Sequence, residues 1–334
     1  MAKTLGIDLG TAFTRLCIAN GGVVLRAPSV ISIENRRQEV LAVGKDAKRM
    51  IGRTPSNISA IKPIRGGTVS NIDQTSLLVG AFLDSCDATG SLRRPNILAS
   101  IPYGARESER RAIEDALFGA GASTVYLAEQ PMAAAIGAGM KVMSAKGGML
   151  VDVGAGTVEV AVISHGGIII SSTLKVAGEA MTDSVIRAVS ANHSVLIGEM
   201  TAEQLKIKLG TVSPVDRGSL EICGKNTQTG GIAHATVSSG ELREALTPYA
   251  NAIVKAIRGA LEAMPPELSS DISDYGLLLC GGGSLLPGLA EYIKTALDMN
   301  VTRAKETQDC VILGLHRILT GGSEMKRFIC SKSK

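Results

Sequence analysis

One strand–turn–strand pattern occurs twice in this chain, and that repetition constrains its fold more than any other feature. The first copy reads Ile7-Asp8-Leu9-Gly10-Thr11-Ala12-Phe13-Thr14, then Leu16-Cys17-Ile18-Ala19, a turn at Asn20-Gly21-Gly22, and Val23-Val24-Leu25. The second reads Val151-Asp152-Val153-Gly154-Ala155-Gly156-Thr157-Val158, then Val160-Ala161-Val162-Ile163, a turn at His165-Gly166-Gly167, and Ile168-Ile169-Ile170. Short apolar runs broken by glycine turns predict β-hairpins. Two matching copies predict two homologous lobes. A length of 334 residues leaves room for them, at roughly 150 residues per domain.

Helical patterns fill the intervals. Glu107 to Leu117 is amphipathic, with Ile113 and Leu117 on one face. Pro131 opens a further helix at a favourable first-turn position. Glu241 to Met264 places Leu242, Leu246, Tyr249, Ile253, Ile257 and Leu261 on one side. Ser238 and Glu241 predict a capping box at its start, and Pro265-Pro266 ends it. A strand over Gly276 to Cys280 runs into Gly281-Gly282-Gly283-Ser284, followed by a helix over Leu289 to Leu297. Strands alternating with helices predict an α/β fold.

Composition excludes some classes. The net charge is only +4 and aromatics make up 3% of residues, too few for a base-stacking platform, so nucleic acid is not an expected partner. The six cysteines are dispersed without a CxxC pair, which argues against a zinc site. Cys17 and Cys280 lie in apolar runs and read as small buried hydrophobes. The expectation is a reduced, cytoplasmic protein. No apolar stretch reaches the ~20 residues of a membrane span.

Each Asp-x-Gly turn suits phosphate chemistry. Glycine lets backbone N–H groups approach phosphate oxygens, and a strand-end carboxylate suits hydrated Mg²⁺. The loops at Asp8 and Asp152 are expected to clamp one triphosphate. Gly281-Gly282-Gly283-Ser284 forms a third glycine loop, whose bare backbone can lie against a base or sugar.

Together these stretches resemble the actin, heat-shock chaperone and sugar kinase superfamily, and within it the MreB family. Similar segments include Ala27-Pro28-Ser29-Val30, Ile51-Gly52-Arg53-Thr54-Pro55, Glu109-Arg110-Arg111-Ala112-Ile113, Gln130-Pro131-Met132-Ala133-Ala134-Ala135-Ile136-Gly137 and Pro265-Pro266-Glu267-Leu268. The resemblance implies an actin-like ATPase fold with two duplicated lobes, each a mixed sheet with flanking helices, and four subdomains. Subdomain IA is expected at 1–33, 66–139 and 310–334, and IB at 34–65. IIA is expected at 140–176 and 239–309, and IIB at 177–238.

It also implies site residues for ATP and Mg²⁺. Gly10, Thr11, Ala12 and Phe13 match the first phosphate loop; Gly154, Ala155, Gly156 and Thr157 match the second. Asp8 and Asp152 match the metal and catalytic carboxylates. Gly178 and Glu179 match the approach to the sugar, and Gly281, Gly282, Gly283 and Ser284 match the adenosine loop. Glu203 and Lys206 match the pair flanking adenine and ribose; the alternative is an exposed ion pair one helical turn apart. Two residues depart from the family. Phe13 stands where Asn is usual, and Gln130 where Glu orients the attacking water. A Gln aligns water but accepts a proton poorly, so slow hydrolysis is expected.

The implied function is an ATPase that polymerises into cytoskeletal filaments for rod cell-shape maintenance. Its partners would be other copies of itself and membrane-associated cell-envelope proteins beneath the inner membrane. The family's N-terminal amphipathic helix has no match before the first strand, so membrane contact is expected to be peripheral at most. A filament-forming paralogue that positions an organelle or cargo is one alternative. A soluble sugar kinase-like enzyme is another, with Asp73 and Asp183 as weak candidates for its base. The basic C-terminal tail Lys326-Arg327-Phe328-Ile329 to Lys334 is expected to be a frayed, solvated end, with contact to anionic lipid as its alternative.

Overall fold

The computed structural model describes residues 3–86 and 94–334. The chain divides into two compact units. One comprises Met1–Ser144, Gly166–Ile168 and Gln308–Lys334; the other comprises Ala145–His165 and Ile169–Thr307.

The first unit is built on a six-stranded mixed sheet. Its order is Ile329–Ser333, Thr124–Glu129, Asn96–Ile101, Thr4–Leu9, Phe13–Ile18 and Gly22–Pro28. Thr4–Leu9 pairs parallel to Asn96–Ile101 and antiparallel to Phe13–Ile18. The central strands are buried on both faces: Leu5, Ile7, Ile97, Ala99, Val125 and Leu127 on one, Leu98 and Ala128 on the other. Helices Ile72–Ser85, Glu107–Gly119, Gln130–Ala138 and Cys310–Thr320 belong to this unit. A small sheet of Glu39–Val43, Ile31–Glu34 and Ile58–Ile61 adds to it.

The second unit repeats the plan. Its five-stranded sheet runs Gly167–Leu174, Val158–Ser164, Gly148–Val153, Leu277–Cys280 and Val301–Arg303. Every residue of Val158–Ser164 is buried. Helices Gly178–His193, Ser239–Glu262 and Leu289–Leu297 supply Val185, Leu246, Ile253 and Ile293 to one continuous core. A second small sheet joins Val195–Leu196, Ser219–Asn226 and Ile232–Ser238.

Local signals account for several boundaries. Ser238 caps Ser239–Glu262 through the anticipated box: its hydroxyl accepts from the Glu241 N–H, while its own N–H donates to Glu241 Oε2 at 2.8 Å. The helix continues through Pro248, which lies on its exposed side. Cys17 and Cys280 are buried as anticipated.

The C-terminal expectation requires correction. The tail is not a frayed end: Ile329–Ser333 pairs antiparallel with Thr124–Glu129, Phe328 is buried, and Ser333 Oγ donates to Glu114 at 2.7 Å. Strand pairing satisfies backbone groups that a loose end would leave to water. Among the described residues no helix is long and apolar enough to cross a membrane.

Candidate functional site

In each unit, taken by itself, several predicted residues lie at or just after the carboxyl ends of parallel strands, where open α/β sheets bind ligands. In the first unit, Asp8 sits near the end of Thr4–Leu9, Ser100 near the end of Asn96–Ile101, and Gln130 directly after Thr124–Glu129. In the second, Asp152 lies in register with Cys280 on the parallel neighbour, so the loops that follow both strands emerge side by side.

The two hairpin turns have the same construction. In the first, Leu9 pairs with Thr14 and the Gly10 N–H donates to the Phe13 carbonyl at 3.1 Å. In the second, Val153 pairs with Val158 and the Gly154 N–H donates to the Thr157 carbonyl at 2.9 Å. The duplication therefore extends to individual turn hydrogen bonds.

The first loop is braced from within its own unit. Ser29 Oγ donates to the Gly10 carbonyl at 2.6 Å and the Ser29 N–H to the Ala12 carbonyl at 3.0 Å. Thr11, nearly buried, accepts from the Gly67 N–H at 2.9 Å. The Phe13 ring carries the Arg15 guanidinium and the Lys48 ammonium, each 5.6 Å from its centroid, a cation–π arrangement.

Asp8 is 6% exposed and both of its oxygens are engaged: Ser100 Oγ donates to Oδ1 at 3.1 Å, and Arg15 Nη1 lies 3.3 Å from Oδ2. Burial pushes its carboxyl above the ordinary value, against the pull of Arg15 and Ser100. Gln130 begins helix Gln130–Ala138 and is half-buried, with Pro131 in the first turn. Its neighbour Glu129 is shifted upward by burial, opposed by Arg110.

In the second unit, four predicted segments converge. The N-terminus of helix Gly178–His193 docks on the glycine loop: the Gly178 N–H donates to the Gly154 carbonyl at 3.2 Å and the Glu179 N–H to the Ala155 carbonyl at 2.8 Å. Gly281 has φ +82 and ψ 159, a conformation that disfavours any side chain. A Cβ there would overlap Asp152 Oδ1 and the Val153 carbonyl, so only glycine lets the third loop lie on the second. Ser284 is fully buried and turns its hydroxyl onto the Gly281 carbonyl at 2.7 Å; its side chain shapes the loop.

Glu203 and Lys206 form an ion pair at 2.6 Å, yet not the exposed one of the alternative reading. Lys206, with its side chain 14% exposed, also donates to the Gly178 carbonyl and to Thr182 Oγ1, both at 2.8 Å. Thr182 Oγ1 lies 2.6 Å from Glu203 Oε2. This network ties helix Glu199–Leu209 to the start of helix Gly178–His193.

Among the described residues no group of three or more His, Cys, Asp or Glu could hold a metal by itself. Mg²⁺ keeps water and phosphate ligands beside one or two carboxylates, so a bound nucleotide would have to supply ligands. Asp152 fits that demand as a nearly buried strand-end carboxylate against a glycine cradle. Asp8 fits less well, because Arg15 and Ser100 already hold its oxygens. The kinase-base candidates Asp73 and Asp183 are both exposed on helices. A concavity of about 740 Å³ lined by Thr211, Arg217, Pro287, Glu291 and Tyr292 contains none of the predicted residues.

Arg15, Ser100, Asp309 and Thr182 were missed from sequence. Arg15 was within reach: with Leu9 opposite Thr14, the hairpin puts Arg15 opposite Asp8. Asp309 and Thr182 had no comparable local signal.

Known proteins resemble this chain over nearly its whole length. The family model MreB/Mbl protein matches residues 2–327. The chain is 41% identical over 314 residues to the cell shape-determining protein Mbl of Bacillus cereus (strain ATCC 10987 / NRS 248), covering 94% of each. It is 42% identical over 319 residues to the cell shape-determining protein MreB of Escherichia coli (strain K12), covering 94% of this chain and 92% of that one. Among solved structures, MreB 5 of Spiroplasma citri bound to AMPPNP superposes with TM-score 0.91 at 28% identity, covering 98% of both chains. The MamK double helical filament matches in fold, with TM-score 0.80 at 21% identity, covering 95% of this chain and 98% of that one.

Proposed function

The chain belongs to the MreB/Mbl family and has the actin-like ATPase fold, and from that premise we propose that it binds ATP, hydrolyses it slowly and assembles into filaments that act in cell shape. The observation that carries the reading is the duplicated turn: Gly10 N–H to Phe13 and Gly154 N–H to Thr157, each beside a strand-end aspartate. Backbone N–H groups in such loops cradle anionic oxygens, and each loop by itself suits phosphate. The nucleotide-bound neighbour supports adenine nucleotide as the ligand, and the relatives' naming as cell shape-determining supports the cellular role.

The residues divide the work. The loop at 154–157 holds phosphate oxygens. Gly281, Gly282 and Gly283 present flat backbone to the adenosine. Gly178, Glu179, Glu203 and Lys206 bound the sugar side. Asp152 is the carboxylate that would hold Mg²⁺, and the ion would supply positive charge to offset the phosphates. Gln130 orients the attacking water without removing its proton, and positioning is the larger share of phosphoryl-transfer catalysis. Assembly follows from repeated head-to-tail contact, which propagates into an open filament when the rotation does not close a ring.

The test is light scattering and negative-stain microscopy with ATP, ADP and a non-hydrolysable analogue, beside a Gln130→Ala variant. Filaments with ATP are expected, and the variant should hydrolyse about 10²-fold more slowly, the scale of a misplaced reactant. A chain that stays monomeric in every nucleotide and salt condition would sink the assembly reading. Phosphoryl transfer to a small hydroxyl acceptor would replace it with a kinase. Fluorescent localisation as patches beneath the envelope is expected; a single axial cable would point to organelle or cargo positioning.

A further inference from the structure

The two Asp-x-Gly hairpins match in their turns and differ in the residue opposite the aspartate. Asp8 pairs in register with Arg15, whereas Asp152 pairs with Glu159. Arg15 in turn stands opposite Arg26 on the next strand. Like charges abreast on a sheet repel, and Asp309 resolves the conflict. Its Oδ1 accepts from Arg15 Nε at 3.0 Å and its Oδ2 from Arg26 Nε at 2.6 Å.

Arg15 is therefore pinned. Its side chain is 13% exposed and that of Asp309 10%. The guanidinium is planar with its donors in a rigid fork, so the bond to Asp309 fixes where Nη1 points, which is at Asp8 Oδ2. The Phe13 ring lies 5.6 Å from the guanidinium carbon. Swinging Arg15 away would cost the Asp309 bond and leave a nearly buried carboxylate with a single partner.

We propose that Arg15 is a resident counter-cation for Asp8, taking there the charge-neutralising part that a divalent metal would otherwise play, so that this chain holds adenine nucleotide with a shallow dependence on Mg²⁺. The inference rests on the nucleotide reading above. An approaching triphosphate meets a first loop whose carboxylate is already offset. A Mg²⁺ ion at Asp8 would compete with the guanidinium for Oδ2 and would meet its positive charge.

The experiment titrates a fluorescent ATP analogue into the full chain, first with EDTA and then with increasing MgCl₂. For the unmodified chain the two limiting Kd values should differ by less than about fivefold. In Arg15→Leu that ratio should widen by about tenfold or more. Asp309→Asn, which keeps the arginine but weakens its anchor, should widen it by an intermediate factor. A ratio above about a hundredfold in the unmodified chain overturns the proposal without any variant. So does an unchanged ratio in an Arg15→Leu chain with native circular dichroism; if that variant does not fold, the unmodified chain and Asp309→Asn decide. No binding at any Mg²⁺ level would instead remove the nucleotide reading itself, and this inference with it.

Discussion

Gly137 and Gly314 let two helices of the first unit pack backbone against backbone. A Cβ on Gly137 would overlap the Cys310 carbonyl oxygen, and one on Gly314 would overlap the Ala133 carbonyl oxygen. Helix Cys310–Thr320 thus seats itself on Gln130–Ala138, and Arg317 hydrogen-bonds the Ile136 carbonyl. The helix that begins with Gln130 is held by this crossing. Gly314→Ala should therefore cost about 3 kcal/mol or more, the upper range of core overpacking, because the obstacle is backbone and cannot rotate aside. Urea unfolding monitored by circular dichroism measures it; a loss below 0.5 kcal/mol, the scale of a bland surface change, would contradict the crossing.

Lys206 has its ammonium between Glu203, Thr182 and the Gly178 carbonyl. Lys206→Met keeps the stem and removes three donors at once. Hydrogen bonds to charged groups contribute about 1.5–3 kcal/mol each when well made, but the single Thr182 hydroxyl hydrogen can still serve either Gly178 or Glu203, so a net loss of about 1–2 kcal/mol is expected. ATP affinity should fall in the same variant, since the start of helix Gly178–His193 is no longer tied down. Unchanged stability together with unchanged affinity would reduce the pair to a solvated one.

Glu241 predicts a pH effect. Burial pushes its carboxyl up, but the N–H and O–H of Ser238, with His193 and Asn192, outweigh burial and bring it below its ordinary value of 4.5. A depressed carboxylate contributes stability that is present above the unfolded value and lost as pH falls through the folded one. The unmodified chain should therefore lose stability below pH 4.5 faster than Glu241→Gln, which lacks the titrating group. Thermal melts between pH 3 and 6 check this; parallel declines would rule out Glu241 as a contributor.

The cysteines should separate by reactivity. Burial pushes the Cys17 thiol up to about 12, beyond what a backbone hydrogen bond with Gly6 offsets, and Cys280 and Cys310 are buried as well. Cys223 is exposed, and the Cys330 thiol is directed to the Leu127 carbonyl at 3.3 Å. Because the thiolate is the reactive form, a disulfide reagent at pH 8 should label Cys223 first and reach Cys17, Cys280 and Cys310 only after unfolding. Early labelling of Cys17 in mass-spectrometric mapping would contradict the buried hairpin.

What the chain alone determined is the part of the molecule set by near neighbours. The two Asp-x-Gly hairpins, the Ser238–Glu241 cap, the amphipathic helix over 239–262 and the glycine loop after Cys280 each depend on residues a few positions apart. Turn geometry, capping and periodicity act at that range. Tertiary structure decided the rest. Arg15 and Asp309 meet across 294 positions of sequence, and the C-terminal residues become an edge strand only because Thr124–Glu129 offers unpaired backbone. Lys206 becomes part of a network only because another helix starts beside it. A charged side chain or a free edge carries no local mark of its partner; that choice is made by whichever distant segment the packed core brings within hydrogen-bond reach.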